Sequence, residues 1–153
     1  MVIATLIVIG ILVLDQVTKH LVVYHMDLGQ SIEVFPNLLY ITSHRNAGAA
    51  WGILYGQMVF FYIVTVIVVA ILIIWMRKLS WKNDRLMMWS LTLLLGGALG
   101  NFIDRVLFQQ VVDFVDTFPF GYNFPIFNVA DMALTFGVAL MGLDALLEAK
   151  RGK

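Results

Sequence analysis

The chain has 153 residues with ten basic and ten acidic side chains, so its formal net charge is zero and no basic block for nucleic acid stands out. It is 61% hydrophobic and 13% charged, with a mean hydropathy of +0.88. That is about half the charge of a typical soluble protein, and a water-soluble domain of this size could not hide so much apolar surface. There are no cysteines, which excludes disulfides, thiolate metal sites, thiol nucleophiles and lipid attachment to the chain itself.

About 20 apolar residues cross a hydrocarbon core, and four stretches qualify. Residues 2–24 form the first, carrying Asp15 and Lys19 in its second half. Met1 to Leu14 is uncharged, without the basic start or the small-residue cleavage site of a secretory signal, and reads as part of a span. Residues 25–57 form the longest segment between spans. Ile32, Val34, Leu38 and Tyr40 alternate about Pro36 and Asn37 there, which predicts short strands around a turn. Trp51, Leu54 and Tyr55 are expected to lie flat in the membrane interface. The second and third spans cover residues 58–76 and 86–102, both uncharged. Residues 106–124 form another connecting segment, and the fourth span covers 125–147, with Pro125 expected in its first helical turn.

Arg77, Lys78, Lys82 and Arg85 lie between spans two and three, and Lys150, Arg151 and Lys153 at the C-terminal end. The positive-inside rule makes that side, and both termini, cytoplasmic. Asp15, Asp27, Glu33, Asp104, Asp113, Asp116 and Asp131 then fall toward the opposite face. The expected architecture is one integral-membrane domain, mainly α-helical, with four transmembrane helices and a small extracytoplasmic β-sheet.

Two aspartates sit where a carboxylate is costly. Asp113 lies within the apolar, extended-looking run Val111-Val-Asp-Phe114, and Asp131 opens the fourth span. Intramembrane carboxylates mark functional sites by default. Two on neighbouring elements point to a pair that shares one proton and activates water. Asn128 stands three residues before Asp131 on the same helical face. The alternative for Asp131 is a helix N-terminal acid favoured by the macrodipole.

Other polar groups have two readings each. Asp15 and Lys19, four residues apart, make either an intrahelical ion pair near the membrane edge or support for a site. Asn46 and Gly48 read as a turn in left-handed conformations, or as a close backbone approach to a ligand. Gly96 and Gly100 form a small-xxx-small helix-packing face. Asn101, Asp104 and Arg105 follow within one turn, as a surface ion pair or as a polar interior wall. Asp116 reads as an ordinary loop acid. No Ser lies in a Gly-x-Ser-x-Gly setting and no His-Glu-x-x-His occurs, which argues against serine and zinc hydrolases.

Five stretches together resemble the bacterial lipoprotein signal peptidases, signal peptidase II. They are Asp15-Gln-Val-Thr-Lys19, Arg45-Asn46-Ala-Gly-Ala-Ala-Trp51, Gly97-Ala-Leu-Gly-Asn-Phe-Ile-Asp-Arg105, Val111-Val-Asp-Phe114 and Phe124-Pro-Ile-Phe-Asn-Val-Ala-Asp131. They stand in the family's order and cover nearly the whole chain. The resemblance implies an aspartic endopeptidase of the bacterial cytoplasmic membrane with its site toward the extracytoplasmic face. Its substrate would be a diacylglyceryl-modified prolipoprotein, cut just before the lipidated cysteine. By resemblance Asp113 and Asp131 are the catalytic pair. Asn46, Gly48, Asn101, Arg105, Asn128 and Ala130 would line the site, Asp15, Lys19 and Asp104 would support it, and the 25–57 segment would cradle the substrate. No metal or cofactor is expected; the expected partners are the substrate and membrane lipid, with no nucleic acid, and the sequence leaves the oligomeric state open, a monomer included. A proton-coupled transporter or channel, or an assembly partner using the Gly96/Gly100 face, are the readings from other classes.

Overall fold

The computed structural model describes residues 1–49, 53–150 and 152. Among the described residues, four helices are long and apolar enough to cross a membrane: α1 (Val2–His25), α2 (Met58–Met76), α3 (Arg85–Phe108) and α4 (Val129–Lys150). Strands β1 (Ser31–Phe35), β2 (Leu39–Asn46) and β3 (Val111–Thr117) make one antiparallel sheet in the order β1-β2-β3. The turn between β1 and β2 falls at Pro36 and Asn37, as the alternation predicts, with Asn37 left-handed at φ 56°.

Helix α3 is the hub and packs against α1, α2 and α4. Its glycines permit this. A Cβ on Gly97 would stand 2.4 Å from the Ala130 carbonyl of α4, and one on Gly96 would meet Ile11 of α1 at 2.8 Å. Small residues let helix backbones approach closely, and dispersion between close surfaces replaces the hydrophobic drive that lipid cannot supply. Near the N-terminus of α1, Ala4 packs with Leu72, Met76, Met88 and Leu91. At the opposite end, Val22 of α1 meets Val112 and Phe114 of β3, which seats the sheet on the bundle. Most other apolar side chains of α2 point outward, as a lipid-facing helix requires.

Two boundaries differ from the sequence reading. Helix α3 continues past residue 102 to Phe108: Asp104 is paired inside the protein, Arg105 donates to the Gly48 carbonyl, and the helix stops where Gln109 turns left-handed at φ 56°. Helix α4 begins at Val129, so Pro125 is not in its first turn. Phe127 instead exchanges backbone hydrogen bonds with Val115, at 2.8 and 3.0 Å, which holds it extended beside β3. Leu54 and Tyr55 are exposed, while Trp51 lies outside the described residues.

Candidate active site

The N-terminus of α4 is built as a reciprocal cap. Asn128 Oδ1 accepts the Asp131 N–H at 2.9 Å, and Asp131 Oδ2 accepts the Asn128 N–H at 3.2 Å. Such a box satisfies helix N–H groups that otherwise lack partners. The macrodipole reading of Asp131 is thus correct as local structure, yet its other oxygen serves a different purpose. Asp131 Oδ1 accepts from Asn101 Nδ2 of α3 at 2.7 Å.

Because the Asn128 carbonyl oxygen is committed to the cap, its Nδ2 must face the other way. It donates to Asp113 Oδ1 at 2.6 Å, to Asn101 Oδ1 at 3.1 Å and to the Val112 carbonyl at 3.3 Å. Asp113 Oδ2 accepts from Asn46 Nδ2 at 3.1 Å. Asn128, fully buried, therefore links both aspartates, and Asp113 is itself 2% exposed. The Asp113 carboxyl, which lies on β3 outside the spanning helices, is pushed up to about 7 by burial and then by the charge of Asp131.

A buried ion cluster lies behind this amide network. Lys19 Nζ stands 2.8 Å from Asp15 Oδ2 and 3.0 Å from Asp104 Oδ2, and it donates to Asn101 Oδ1 at 3.1 Å. An ammonium can only donate, so it fixes Asn101 with its oxygen toward Lys19 and its NH₂ toward Asp131. Asp15 Oδ1 accepts the Ala130 N–H at 2.9 Å, and Asp104 Oδ2 accepts the Val112 N–H at 3.1 Å. The cluster thereby joins α1, α3, α4 and β3. Asp104 pairs with Lys19 across helices, not with Arg105 at the surface.

Arg105 turns the other way. Its Nη2 donates to the Gly48 carbonyl at 3.2 Å, and its guanidinium lies 4.4 Å from the Phe61 ring centroid. Its Nε has no hydrogen-bond partner among the described residues. Neither Asn46 nor Gly48 adopts the left-handed conformation of the turn reading. Asn46 ends β2, and its Oδ1 accepts the Gly48 N–H at 2.9 Å, which turns the chain toward Arg105. All the residues expected at the site are thus brought into one connected network.

One further residue takes part. Gln16 Nε2 donates to Asp104 Oδ1 at 2.9 Å, Asp15 Oδ2 at 3.1 Å and the Gly100 carbonyl at 3.3 Å. Its only sequence signal is an amide beside Asp15 inside a span. Asp116 is not a loop acid. It is buried on β3 opposite Tyr40 and accepts the Thr42 hydroxyl at 2.8 Å, because β3 extends to Thr117 and covers it.

Asp113 and Asp131 open on one cavity of about 750 Å³. Phe61, Val64 and Val68 of α2 and Leu134 and Phe136 of α4 give it apolar walls; Asn46, Asn101 and Arg105 give it a polar end. Among the described residues no group of three or more His, Cys, Asp or Glu is placed to hold a metal ion. Two carboxylates thus share one cavity with the amide donors bound to them and with apolar walls beside them.

The family model of signal peptidase II, an aspartic peptidase family, matches residues 7–147. The chain belongs to the signal peptidase II family. Two solved structures, each described as a bacterial membrane enzyme determined by the in meso method, are similar throughout. The one at 2.3 Å is 47% identical with a TM-score of 0.91, over 100% of this chain and 93% of its own. The other, at 1.9 Å, is 48% identical with a TM-score of 0.83, over 97% of this chain and 94% of its own. As a signal peptidase II, the chain is a multi-pass membrane protein and an aspartic endopeptidase acting on lipoprotein precursors.

Proposed function

We propose that Asp113 and Asp131 form the catalytic dyad, and that it hydrolyses the peptide bond just before a diacylglyceryl-modified cysteine. The observation that carries this reading is the shared Asn128, which bonds to both aspartates at the polar end of one apolar-walled cavity. Two neighbouring carboxylates cannot both ionise cheaply, so the pair holds one proton. With its acid strength displaced to about 7, Asp113 is the member that carries it near neutrality.

The proton on Asp113 is donated to the scissile carbonyl oxygen, while Asp131 takes a proton from water. The water oxygen bonds to the carbonyl carbon and gives a tetrahedral intermediate. The proton gained by Asp131 then passes to the departing amine nitrogen as the C–N bond breaks, and Asp113 recovers its proton from the intermediate hydroxyl. Asn46, Asn101 and Asn128 hold the carboxyl planes. The Arg105 guanidinium, which lines the polar end of the cavity, would meet the lipid ester or the substrate backbone.

The apolar walls suit the acyl chains and the signal segment. Each buried CH₂ contributes about 0.8 kcal/mol, so lipid supplies much of the recognition. With Arg77, Lys78, Lys82 and Arg85 on the cytoplasmic side of a bacterial plasma membrane, the dyad faces the extracytoplasmic side. Turnover of lipidated and unlipidated precursors tests the reading: the lipidated one is expected to be cut far faster, and equal rates would overturn the lipid-binding role.

A further inference from the structure

Residues 117–130, which join β3 to α4, carry no charged side chain, and aromatic residues recur at every second position from Phe118 to Phe124. Phe118 turns inward, its ring edge-on to that of Tyr40 at 5.5 Å. Phe120, Tyr122 and Phe124 are exposed, and Phe120 reaches 108% relative exposure, so no described residue covers its ring. A single exposed apolar side chain is ordinary. Three on one short charge-free loop form a patch of the kind that meets a membrane or a partner.

Phe120 also holds a costly backbone conformation. It is left-handed at φ 55° and ψ 28°, although a glycine stands at the next position. A bulky side chain is rare there, whereas glycine or aspartate accepts it more readily. The backbone around it is largely paired. The Phe118 N–H donates to the Leu38 carbonyl at 2.9 Å, Gly121 to Phe118 at 3.1 Å, Tyr122 to Pro119 at 3.0 Å and Phe124 to Thr117 at 3.1 Å. Pro119 has no N–H to satisfy. A turn whose N–H groups are already bonded loses little on leaving water.

The depth of the loop follows from α4. That helix has 22 residues, about 33 Å at 1.5 Å per residue, which just crosses a hydrocarbon core of about 30 Å. Its first residues therefore lie at the headgroup boundary. Phe124 is tied to that level, its ring edge-on to Phe127 at 5.9 Å. It also lines the catalytic cavity beside Met132 and Phe136, which are exposed on α4. The aromatic loop is thus continuous with the surface through which α4 meets lipid.

We propose that the 118–124 loop is an interfacial anchor, with the rings of Phe120 and Tyr122 entering the leaflet on the dyad's side. The occupant of the patch is lipid. The loop sits at headgroup depth, adjoins the lipid-facing side of α4 and offers no charge to match a protein partner. Amphipathic and aromatic rings favour this zone, and lipid contact with Phe120 offsets its strained backbone. The anchor fastens the Thr117 end of β3, whose other end packs on the bundle through Val112. The proposal rests on the membrane-spanning reading of α4 and is independent of the dyad.

The chain has no cysteine, so one introduced thiol takes a fluorescent label. Tyr122→Cys bearing nitrobenzoxadiazole is placed in phosphatidylcholine vesicles. Beside it stand the same protein with Phe120→Asp added, and a labelled Val66→Cys, mid-span and exposed on α2. Aspartate tolerates the left-handed region, so Phe120→Asp keeps the turn. An interfacial anchor lies about 5–10 Å into the headgroup–acyl boundary, so a lipid nitroxide near the headgroup is expected to quench the Tyr122→Cys label at least about twofold more than one at the chain end. Val66→Cys is expected to show the reverse order. With Phe120→Asp, quenching by lipid is expected to fall and quenching by aqueous iodide to rise. Strong iodide quenching without lipid quenching, while Phe120 is intact, would overturn the anchor. Protection from both quenchers would overturn it in favour of a protein partner, such as a second copy of the chain. Lipid quenching unchanged by Phe120→Asp would overturn the role given to Phe120.

Discussion

Replacing Lys19 by Met tests the ion cluster behind the dyad. The side chain keeps a similar length and loses its charge. Asp15 and Asp104, at 0% and 1% exposure, then face each other with no cation between them. Removing one partner of a buried ion pair costs about 3–5 kcal/mol, because the remaining charge is left uncompensated. In a chain of this size about 1 kcal/mol corresponds to 2–4 °C, so the melting temperature is expected to fall by about 10 °C. The same change releases the Asn101 oxygen, leaving only Asn128 to hold that amide, so the donor to Asp131 loosens. Thermal melts in detergent would be read for Lys19→Met, Asp104→Asn and the double variant. The double is expected to be destabilised by less than the sum of the singles, since each single strands the other's charge. A Lys19→Met protein melting within 2–3 °C of the parent, well below the shift expected for a broken buried pair, would refute this account of the cluster.

Other perturbations probe separate parts of the site. Asn128→Ala removes the cap and the donor to Asp113; cleavage is expected to fall by at least about a hundredfold, with a loss of about 1 kcal/mol of stability. The pH–rate profile is expected to fall on its alkaline side as the pH rises through about 7, because the raised Asp113 carboxyl holds its proton below that value and loses it above. A rate that kept rising well beyond pH 8 would count against Asp113 as the proton carrier, since it would be largely ionised there. The same displacement, from 3.8 to about 7, is worth about 4 kcal/mol at most. Stability from Asp113 is present in full below 3.8 and is lost as the pH rises to about 7, so Asp113→Asn should flatten the dependence of melting temperature on pH in that window. Gly97→Val places side-chain atoms against the Ala130 carbonyl and Leu134, and is expected to prevent α3 and α4 from packing, seen as loss of a cooperative melt.

Much of this architecture is legible in one sequence because lipid imposes a strong code. Apolar length marks the spans even where a charge interrupts them, and an aspartate in such surroundings marks a candidate site. Asn128 and Asp131 could be paired from helix spacing alone. What spacing does not carry is contact between helices. Asp104 and Arg105 are neighbours in sequence, so an ion pair between them is the local expectation; the structure instead sends Asp104 to Lys19 of α1 and Arg105 to the Gly48 carbonyl. Sequence alone places the start of α4 too early for a similar reason. Pro125 is a good first-turn residue, but pairing of Phe127 with Val115 outweighs that local preference. Asp116 carried no mark at all, since its burial depends on where β3 lies against β2.

The most direct test of the dyad is a gel-shift assay. Purified protein is mixed with a diacylglyceryl-modified prolipoprotein, beside the Asp113→Asn and Asp131→Asn variants, each confirmed by its melt to be folded. Wild type is expected to release the signal peptide and neither variant to do so. Cleavage by either folded variant at a rate near wild type would contradict the assignment of that aspartate. Failure of folded wild type on the lipidated substrate would contradict the account as a whole.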